Sequence, residues 1–164
     1  IRDRSFRRTV IPVQELLDAA GKYFKKSMKN RSERIELEIE PREAKVIGDV
    51  NQLRFLLENL IDEALTVRED GLIRLQARQD NEYIRFLFTD TRREKSVEEL
   101  NQLFYPNLAR MTSGEKGELR GTEYLICKQI IRDHDEFAGR RGCRINAEPA
   151  EGGGFTVYFT IPRR

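Results

Sequence analysis

The sequence has few cysteines and no excess of charge of either sign, and each shortage excludes a class of protein. Two cysteines, Cys127 and Cys143, are too few for a disulfide framework, and they lack the paired spacing of a zinc site. The 30 basic and 28 acidic residues leave a net charge of +2. A dedicated nucleic-acid-binding domain usually has a strong basic excess. We therefore expect no nucleic acid partner, although a basic arm, Arg2 to Arg8, is the feature that such a partner would use.

The sequence also lacks long apolar runs, since none approaches the roughly 20 residues of a transmembrane helix, and it shows no signal peptide. We expect no direct membrane contact and a cytoplasmic location, within a parent protein that can itself be membrane-anchored. The chain begins at Ile1 rather than Met, so we interpret it as a piece of a longer protein. Residues 1–11 are basic without periodicity and predict a linker or arm from an upstream region.

What the sequence does contain is a regular succession of amphipathic segments. Apolar residues recur at spacings of three and four in helices and alternate in strands. Residues 12–162 thus predict one domain, a two-layer α/β sandwich with a mixed, mainly antiparallel sheet of about five strands, covered on one face by three helices. A polar loop of unusual length, about 105–120, interrupts the pattern. The three predicted long helices are 12–28, 50–67 and 121–137, and a short helix is predicted at 97–104. The predicted strands are 34–40, 73–78, 83–88, 143–147 and 155–161.

The helix predicted over 50–67 carries candidate site residues. Asn59 and Glu63 are four residues apart and share one face of the helix, and Asp62 lies three residues after Asn59. Asp49 precedes the helix and is typical of an N-cap. An amphipathic helix with an acidic, solvated outer face is the alternative interpretation.

A second candidate ends the predicted hairpin, where the apolar stretch Leu87-Phe88-Thr89 runs into Asp90. A carboxylate at the end of a buried strand is typical of a pocket. Arg92 and Arg93 follow closely, so Asp90 can equally form a structural ion pair. The residues alone leave both interpretations open.

Four segments together resemble a known family. "GDVNQLRFLLENLIDEALT" is similar to the N-box helix of the histidine-kinase-type ATPase domain, of the GHKL superfamily with its Bergerat fold. "FTDTRREKSVEELNQLFYP" is similar to the G1 and F boxes of that family, and "LRGTEYLICKQIIRDH" to the G2 box. "GGGFTVYFTIP" looks like the last strand. The segments occur in the family's order and span nearly the whole chain.

The resemblance implies that ATP or ADP with Mg²⁺ would lie between the N-box helix and the loop at 105–120, which would act as a lid. Asp90 matches the aspartate that accepts a hydrogen bond from the adenine amino group. Glu63 stands where the family has a magnesium-binding asparagine, and a carboxylate also suits magnesium. The implied nucleotide-binding residues are Asn59, Asp62, Glu63, Asp90 and Gly121.

The departures from the family pattern bear on this chemistry. Family glycines allow close approach of the backbone to phosphates, and here four of their positions hold Arg92, Glu94, Leu119 and Glu123. Thr66 replaces the usual lysine, a positive charge that Arg110 or Lys116 of the lid could supply. We therefore expect a degenerate ATPase domain with weak or absent nucleotide binding and no certain cofactor.

The expected role is that of a regulatory or docking module in a larger signalling protein, with other domains or a signalling protein as partners. The alternative is a working catalytic domain of a sensor histidine kinase in two-component signal transduction, with divergent boxes. The only histidine, His134, falls late in a helix, where the resemblance implies a structural role rather than phosphate acceptance.

Overall fold

A five-stranded mixed sheet forms one layer of the fold in a computed structural model that describes residues 5–106 and 122–164. Only the contact between the first two strands of the sheet is parallel, and the other three are antiparallel. The strands lie in the order β2-β4-β5-β7-β6, with bounds β2 (Arg34–Glu40), β4 (Leu72–Asp80), β5 (Tyr83–Asp90), β6 (Ile145–Pro149) and β7 (Phe155–Pro162).

Helices form the second layer, because the strands alternate apolar and polar residues and so present one apolar face. The helices are α1 (Val13–Lys26), α2 (Val50–Ala64), α3 (Val97–Gln102) and α4 (Glu123–Phe137). Core side chains from α1, α2 and α4 meet those of the inner sheet face, where Phe86 and Phe159 stack with ring centroids 4.8 Å apart. The predicted sandwich is confirmed.

A small two-stranded sheet was not predicted. It pairs β1 (Thr9–Pro12) with β3 (Lys45–Gly48), and Val46 of β3 also forms a bridge with Arg163. Ile11 and Val46 are buried in the core, whereas Val10 on the other face is exposed. Strands of four residues that pair across more than thirty positions carry too little local pattern to be recognised.

The segment just before β1 lies against the helices. The Phe6 ring packs edge-on against His134 at 4.8 Å, and the Arg7 N–H donates to Asp49 at 2.8 Å. These contacts join residues 6 and 7 of the predicted arm to the helical layer. The boundary between an arm at 1–11 and a domain at 12–162 stays a prediction.

Local signals fix several boundaries. Asp49 caps α2 as predicted, since its carboxylate accepts from the Gln52 N–H at 3.1 Å. Ser96 and Glu99 form a reciprocal capping box at the start of α3. Of the predicted lid, residues 107–120 lie outside the described residues. Within the part of the chain that is described, no helix is long and apolar enough to cross a membrane.

Candidate functional site

Asp90 ends β5 on the sheet face that packs against the helices. It follows Ile84, Phe86 and Phe88 in the inward alternation of the strand and is 1% exposed. The adjacent end of β7 lies very close, because a Cβ on Gly154 would overlap the Asp90 carbonyl oxygen. Gly154 has a φ of +86°, which favours glycine. The tight approach of the two strands fixes the Asp90 backbone.

The carboxylate of Asp90 is held by the side chain of Arg92, whose exposure is 0%. The Arg92 Nε–H donates to Oδ1 at 2.9 Å and its Nη2–H donates to Oδ2 at 2.9 Å. The Arg92 backbone N–H adds a bond to Oδ1 at 3.0 Å, and the Arg93 Nε–H adds one to Oδ2 at 3.3 Å. Planar, bidentate contact of this kind gives the strong form of a charge-assisted hydrogen bond.

The far side of the Arg92 guanidinium reaches the end of α2 and the segment after it. Nη2 donates to the Ala64 carbonyl at 2.7 Å, and Nη1 donates to the carbonyls of Val67 at 3.2 Å and Glu69 at 3.1 Å. Nη1 also lies 3.3 Å from Glu33 Oε2. The side chain therefore ties the end of β5 to the C-terminal end of α2.

Glu33 connects this arginine to a second one. Arg31 donates to both oxygens of Glu33, at 3.0 and 2.7 Å, and the Glu69 N–H donates to Oε2 at 3.2 Å. Hydrogen bonds from Arg31 lower the pKa of Glu33 to about 2, against the opposing effect of desolvation. We call Arg31, Glu33, Asp90 and Arg92 the Arg92 cluster.

Gly71 makes room for the Arg92 cluster. A Cβ at this position would lie 2.7 Å from the Arg92 Cγ, and the φ of +137° also favours glycine. Neither Gly71 nor Glu33 was recognised as a site residue from the sequence. The sequence signal for both residues is weak, because Glu33 is a single carboxylate before β2 and Gly71 is a single glycine before β4.

The N-box residues lie on α2. Asn59 is buried, and its side-chain N–H donates to the Phe55 carbonyl of the same helix at 2.8 Å. Asp62 is exposed and accepts a hydrogen bond of 2.7 Å from the Tyr23 hydroxyl of α1. Burial and the Asp62 contact both raise the pKa of Tyr23. Asp62 therefore faces α1, while Glu63 is half-buried on a different side of α2.

Tyr124, in the first turn of α4, is buried. Burial is the main cause that raises the pKa of Tyr124, and the charges of Glu63 and Asp90 act in the same direction. The charge of Arg93 acts in the opposite direction. The charges of Glu63 and Asp90 thus both act on Tyr124, which sequence reasoning missed because an aromatic residue on a helix is typical of a core.

The start of α4, where the resemblance places phosphates, carries acidic charge. Glu123 is the first residue of the helix, and Thr122 caps it without a side-chain hydrogen bond. Within the described residues, Glu123 Oε1 and Arg93 Nη2 are buried without a hydrogen-bond partner. Gly121, the remaining predicted site residue, lies outside the described part of the chain.

No group of three or more histidine, cysteine or acidic side chains that could hold a metal occurs within residues 5–106 and 122–164. Glu63 as a magnesium ligand therefore stays a prediction. A cavity of about 540 Å³ lies between α3, α4 and β6, but Asn59, Asp62, Glu63 and Asp90 do not line it. The cavity is separate from the Arg92 cluster.

His134 is fully buried in α4. Its Nε2 accepts from the Asp49 N–H at 3.1 Å, which places the ring proton on Nδ1, 2.9 Å from the Ile130 carbonyl. Burial lowers the pKa of His134, so the ring is neutral. Nε2 links the start of α2 to α4, and Nδ1 bonds within α4, so both ring nitrogens have a structural role.

Comparison with known proteins gives a family and a set of similar structures. The family described as histidine kinase-, DNA gyrase B- and HSP90-like ATPase matches residues 48–164. Among proteins with curated descriptions, none matches the sequence at a significant level.

Solved structures of histidine kinases share the fold. The nucleotide-free catalytic domain of histidine kinase ThkA has a TM-score of 0.77 and 22% identity, with 95% of each chain covered. Full-length ShkA in complex with AMPPNP has a TM-score of 0.75 and 18% identity, over 97% of this chain and 31% of that one. ThkA in complex with the response regulator protein TrrA has a TM-score of 0.71 and 20% identity, over 97% of this chain and 42% of that one.

Proposed function

Because the chain belongs to the histidine kinase-, DNA gyrase B- and HSP90-like ATPase family, we propose that it is a degenerate member whose adenine position is filled by Arg92. It keeps the ATPase fold and binds nucleotide weakly or not at all. It serves as a regulatory or docking module within a larger signalling protein.

The observation that carries this proposal is the saturation of the Asp90 carboxylate. An ionised carboxylate has about four lone-pair positions. Two donors reach each oxygen of Asp90, three of them from Arg92 and one from Arg93. An adenine amino group would have to displace a charged donor from a buried carboxylate and replace it with a neutral one. The residues present therefore do not fit the nucleotide that the family implies.

The cost of opening the site is substantial. Removing one partner of a buried ion pair costs about 3–5 kcal/mol, and Arg92 is also bonded to Glu33 and to three carbonyl groups. If a nucleotide had to displace the arginine, a cost of about 3 kcal/mol would raise the dissociation constant of the nucleotide by roughly a hundredfold. The cost of displacing Arg92 therefore opposes nucleotide binding substantially.

The charge at the start of α4, where the resemblance places the phosphates, also opposes nucleotide binding. The N-terminus of a helix attracts anions, but Glu123 is the first residue of α4 and places a carboxylate there. Without a bound cation, the Glu123 carboxylate repels a polyphosphate. This charge supports weak or absent binding of ATP and ADP in the absence of Mg²⁺.

The family supports the proposed role as a module of a larger protein. The chain spans about two fifths of the ThkA chain that was solved with its response regulator. We propose that the remaining parts of a two-component signalling protein, or a partner protein, contact this domain in the cytoplasm. A domain without nucleotide would contribute to such an assembly by its surface rather than by phosphate transfer.

A thermal-shift measurement with Mg·AMPPNP and Mg·ADP tests the proposal. A ligand at a hundred times its dissociation constant adds about 2.7 kcal/mol, which raises the Tm of a domain of this size by about 5–10 °C. We expect no shift for this chain, with ShkA as the positive control. A magnesium-dependent shift that is lost in Asp90→Asn would contradict the proposal.

The working catalytic domain is the second candidate, favoured by the retention of Asn59 and Asp90. It predicts the magnesium-dependent shift and, in the parent protein, transfer of radiolabelled phosphate that is lost when Glu63 is changed to alanine. Neither result is expected from a domain whose Asp90 is held by Arg92.

A variant can identify Arg92 as the obstructing group. Arg92→Gly restores the glycine of the family pattern, and adenosine avoids the acidic charge at the phosphate end. We expect adenosine to raise the Tm of Arg92→Gly but not of the unaltered chain or of Arg92→Gly with Asp90→Asn. If adenosine fails to stabilise Arg92→Gly, Arg92 is not the group that closes the site.

A further inference from the structure

A basic face surrounds the small β1–β3 sheet, on the side away from the core. Two adjoining depressions of about 450 and 500 Å³ share Arg163 and Arg164 in their lining. Arg8 and Arg140 line the first depression, and Lys45 lines the second. We define the basic face as Arg8, Val10, Lys45, Ile47, Arg140, Arg163 and Arg164.

Strand pairing explains how these residues meet. Val10 and Ile47 are directly opposite each other in the β1–β3 pair, so their side chains emerge together. The end of β7 joins the other side of β3, where the Arg164 N–H donates to the Lys45 carbonyl at 3.0 Å. Val10 and Ile47 therefore form an apolar floor of the basic face. Cations from the segment before β1, from β3 and from the chain after β7 surround this floor.

The charge of the basic face is largely uncompensated. Arg140 pairs with Glu82 at 3.3 Å. Among the described residues, no carboxylate side chain forms an ion pair with Arg8, Lys45, Arg163 or Arg164. Glu43 lines the second depression, but no described acidic residue lines the first, in a chain whose overall charge is only +2. A face this polarised attracts an anionic partner.

The floor indicates which class of anionic partner fits. Single-stranded nucleic acids usually stack their bases on aromatic side chains, and no aromatic residue of the described ranges lines either depression. Val10 is 43% exposed, and with Ile47 it gives an apolar surface that phosphodiester groups do not use. An extended polypeptide matches both parts, because its apolar side chains can cover the floor while the long arginine and lysine side chains around the floor reach the acidic side chains between them.

We propose that the basic face is a docking site for an extended polypeptide segment in which acidic and apolar residues alternate. The acidic side chains pair with Arg8, Lys45 and Arg164, and the apolar ones cover Val10 and Ile47. This site is separate from the Arg92 cluster and does not depend on whether nucleotide binds.

Fluorescence anisotropy with a labelled peptide of alternating glutamate and leucine tests the docking site. We expect saturable binding that weakens at least about tenfold in Arg8→Glu with Arg164→Glu, since each 1.4 kcal/mol is a factor of ten. Val10→Ser should also weaken binding, because it removes part of the apolar floor. The matched control is Lys22→Glu with Lys29→Glu, which makes the same change of charge at exposed positions elsewhere and should leave the affinity unchanged within about twofold.

Several results would overturn the proposal. An equal loss of affinity in the Lys22 and Lys29 control would show that binding depends only on the overall charge of the protein. Equal affinity for a peptide with serine in place of leucine would show that the apolar floor does not contribute to binding. Tighter binding of a single-stranded oligonucleotide, or of vesicles containing phosphatidylserine, that is lost in the same Arg8 and Arg164 variant would assign the face to another class of partner. Urea unfolding of each variant checks that the fold is intact.

Discussion

Replacing Arg92 with alanine removes the side chain that joins β5 to the end of α2, and the structure gives the expected cost. The change deletes two bonds to Asp90, one to Glu33 and three to backbone carbonyls. Asp90 keeps the Arg92 backbone N–H and the Arg93 Nε–H, and Glu33 keeps its two bonds from Arg31. Neither carboxylate is fully orphaned.

We therefore expect the lower end of the range for breaking a buried ion pair, about 3 kcal/mol. Since small domains unfold with roughly 5–15 kcal/mol, the variant should remain folded at 25 °C. With a urea dependence of roughly 1.5–3 kcal/mol per molar, the unfolding midpoint should fall by about 1–2 M. Urea titration followed by circular dichroism measures this shift.

Arg85→Ala is the matched control, because Arg85 pairs with Asp80 at 3.0 Å on the sheet surface and its side chain is 39% exposed. Its removal should cost less than about 1 kcal/mol. A double-mutant cycle with Asp90→Ala should also show strong coupling between Asp90 and Arg92. If Arg92→Ala costs no more than Arg85→Ala, or if the coupling is near zero, the reasoning about the buried pair is refuted.

Three further predictions concern the same region and the core. Gly71→Ala should destabilise the domain by about 1–3 kcal/mol in urea unfolding, because the new Cβ meets the Arg92 side chain and the φ is positive; an unchanged midpoint would contradict the contact. The pKa of Glu33 is depressed from 4.5 to about 2, so its stabilising effect is complete above pH 4.5 and is lost as the pH falls toward 2. Glu33→Gln should abolish that part of the acid sensitivity, and an identical pH profile would count against it. Burial raises the pKa values of Cys127 and Cys143, the latter to about 12. Both thiols should therefore resist iodoacetamide at pH 8 until urea unfolds the chain, and mass spectrometry of the folded protein would reveal any early labelling.

Much of the fold could be predicted because its strands and helices are long and strongly periodic. The hairpin of β4 and β5 and the helix α2 follow from local apolar spacing alone. The last strands were placed less well, since a strand was expected from Cys143 but begins at Ile145. The Cys143 N–H instead donates to the Asp135 carboxylate at 3.0 Å, a tertiary contact that local pattern does not encode.

The site could be predicted only in part. Asp90 and its two neighbouring arginines were visible in one short segment, and an ion pair was one of two interpretations. The sequence could not choose between them, because the other anchors of Arg92 come from residues such as Glu33 and Ala64, which are 59 and 28 positions away. Asp62 was grouped with Asn59 and Glu63 by spacing, but its bond to Tyr23 depends on how α1 packs against α2.

A crystal structure of the unaltered chain, grown in excess Mg·ADP, tests the central claim most directly. We predict that Arg92 remains in bidentate contact with Asp90 and that no adenine lies against this carboxylate. An adenine whose amino group donates to Asp90, with the Arg92 side chain displaced toward solvent and Mg²⁺ beside Glu63, would contradict the account.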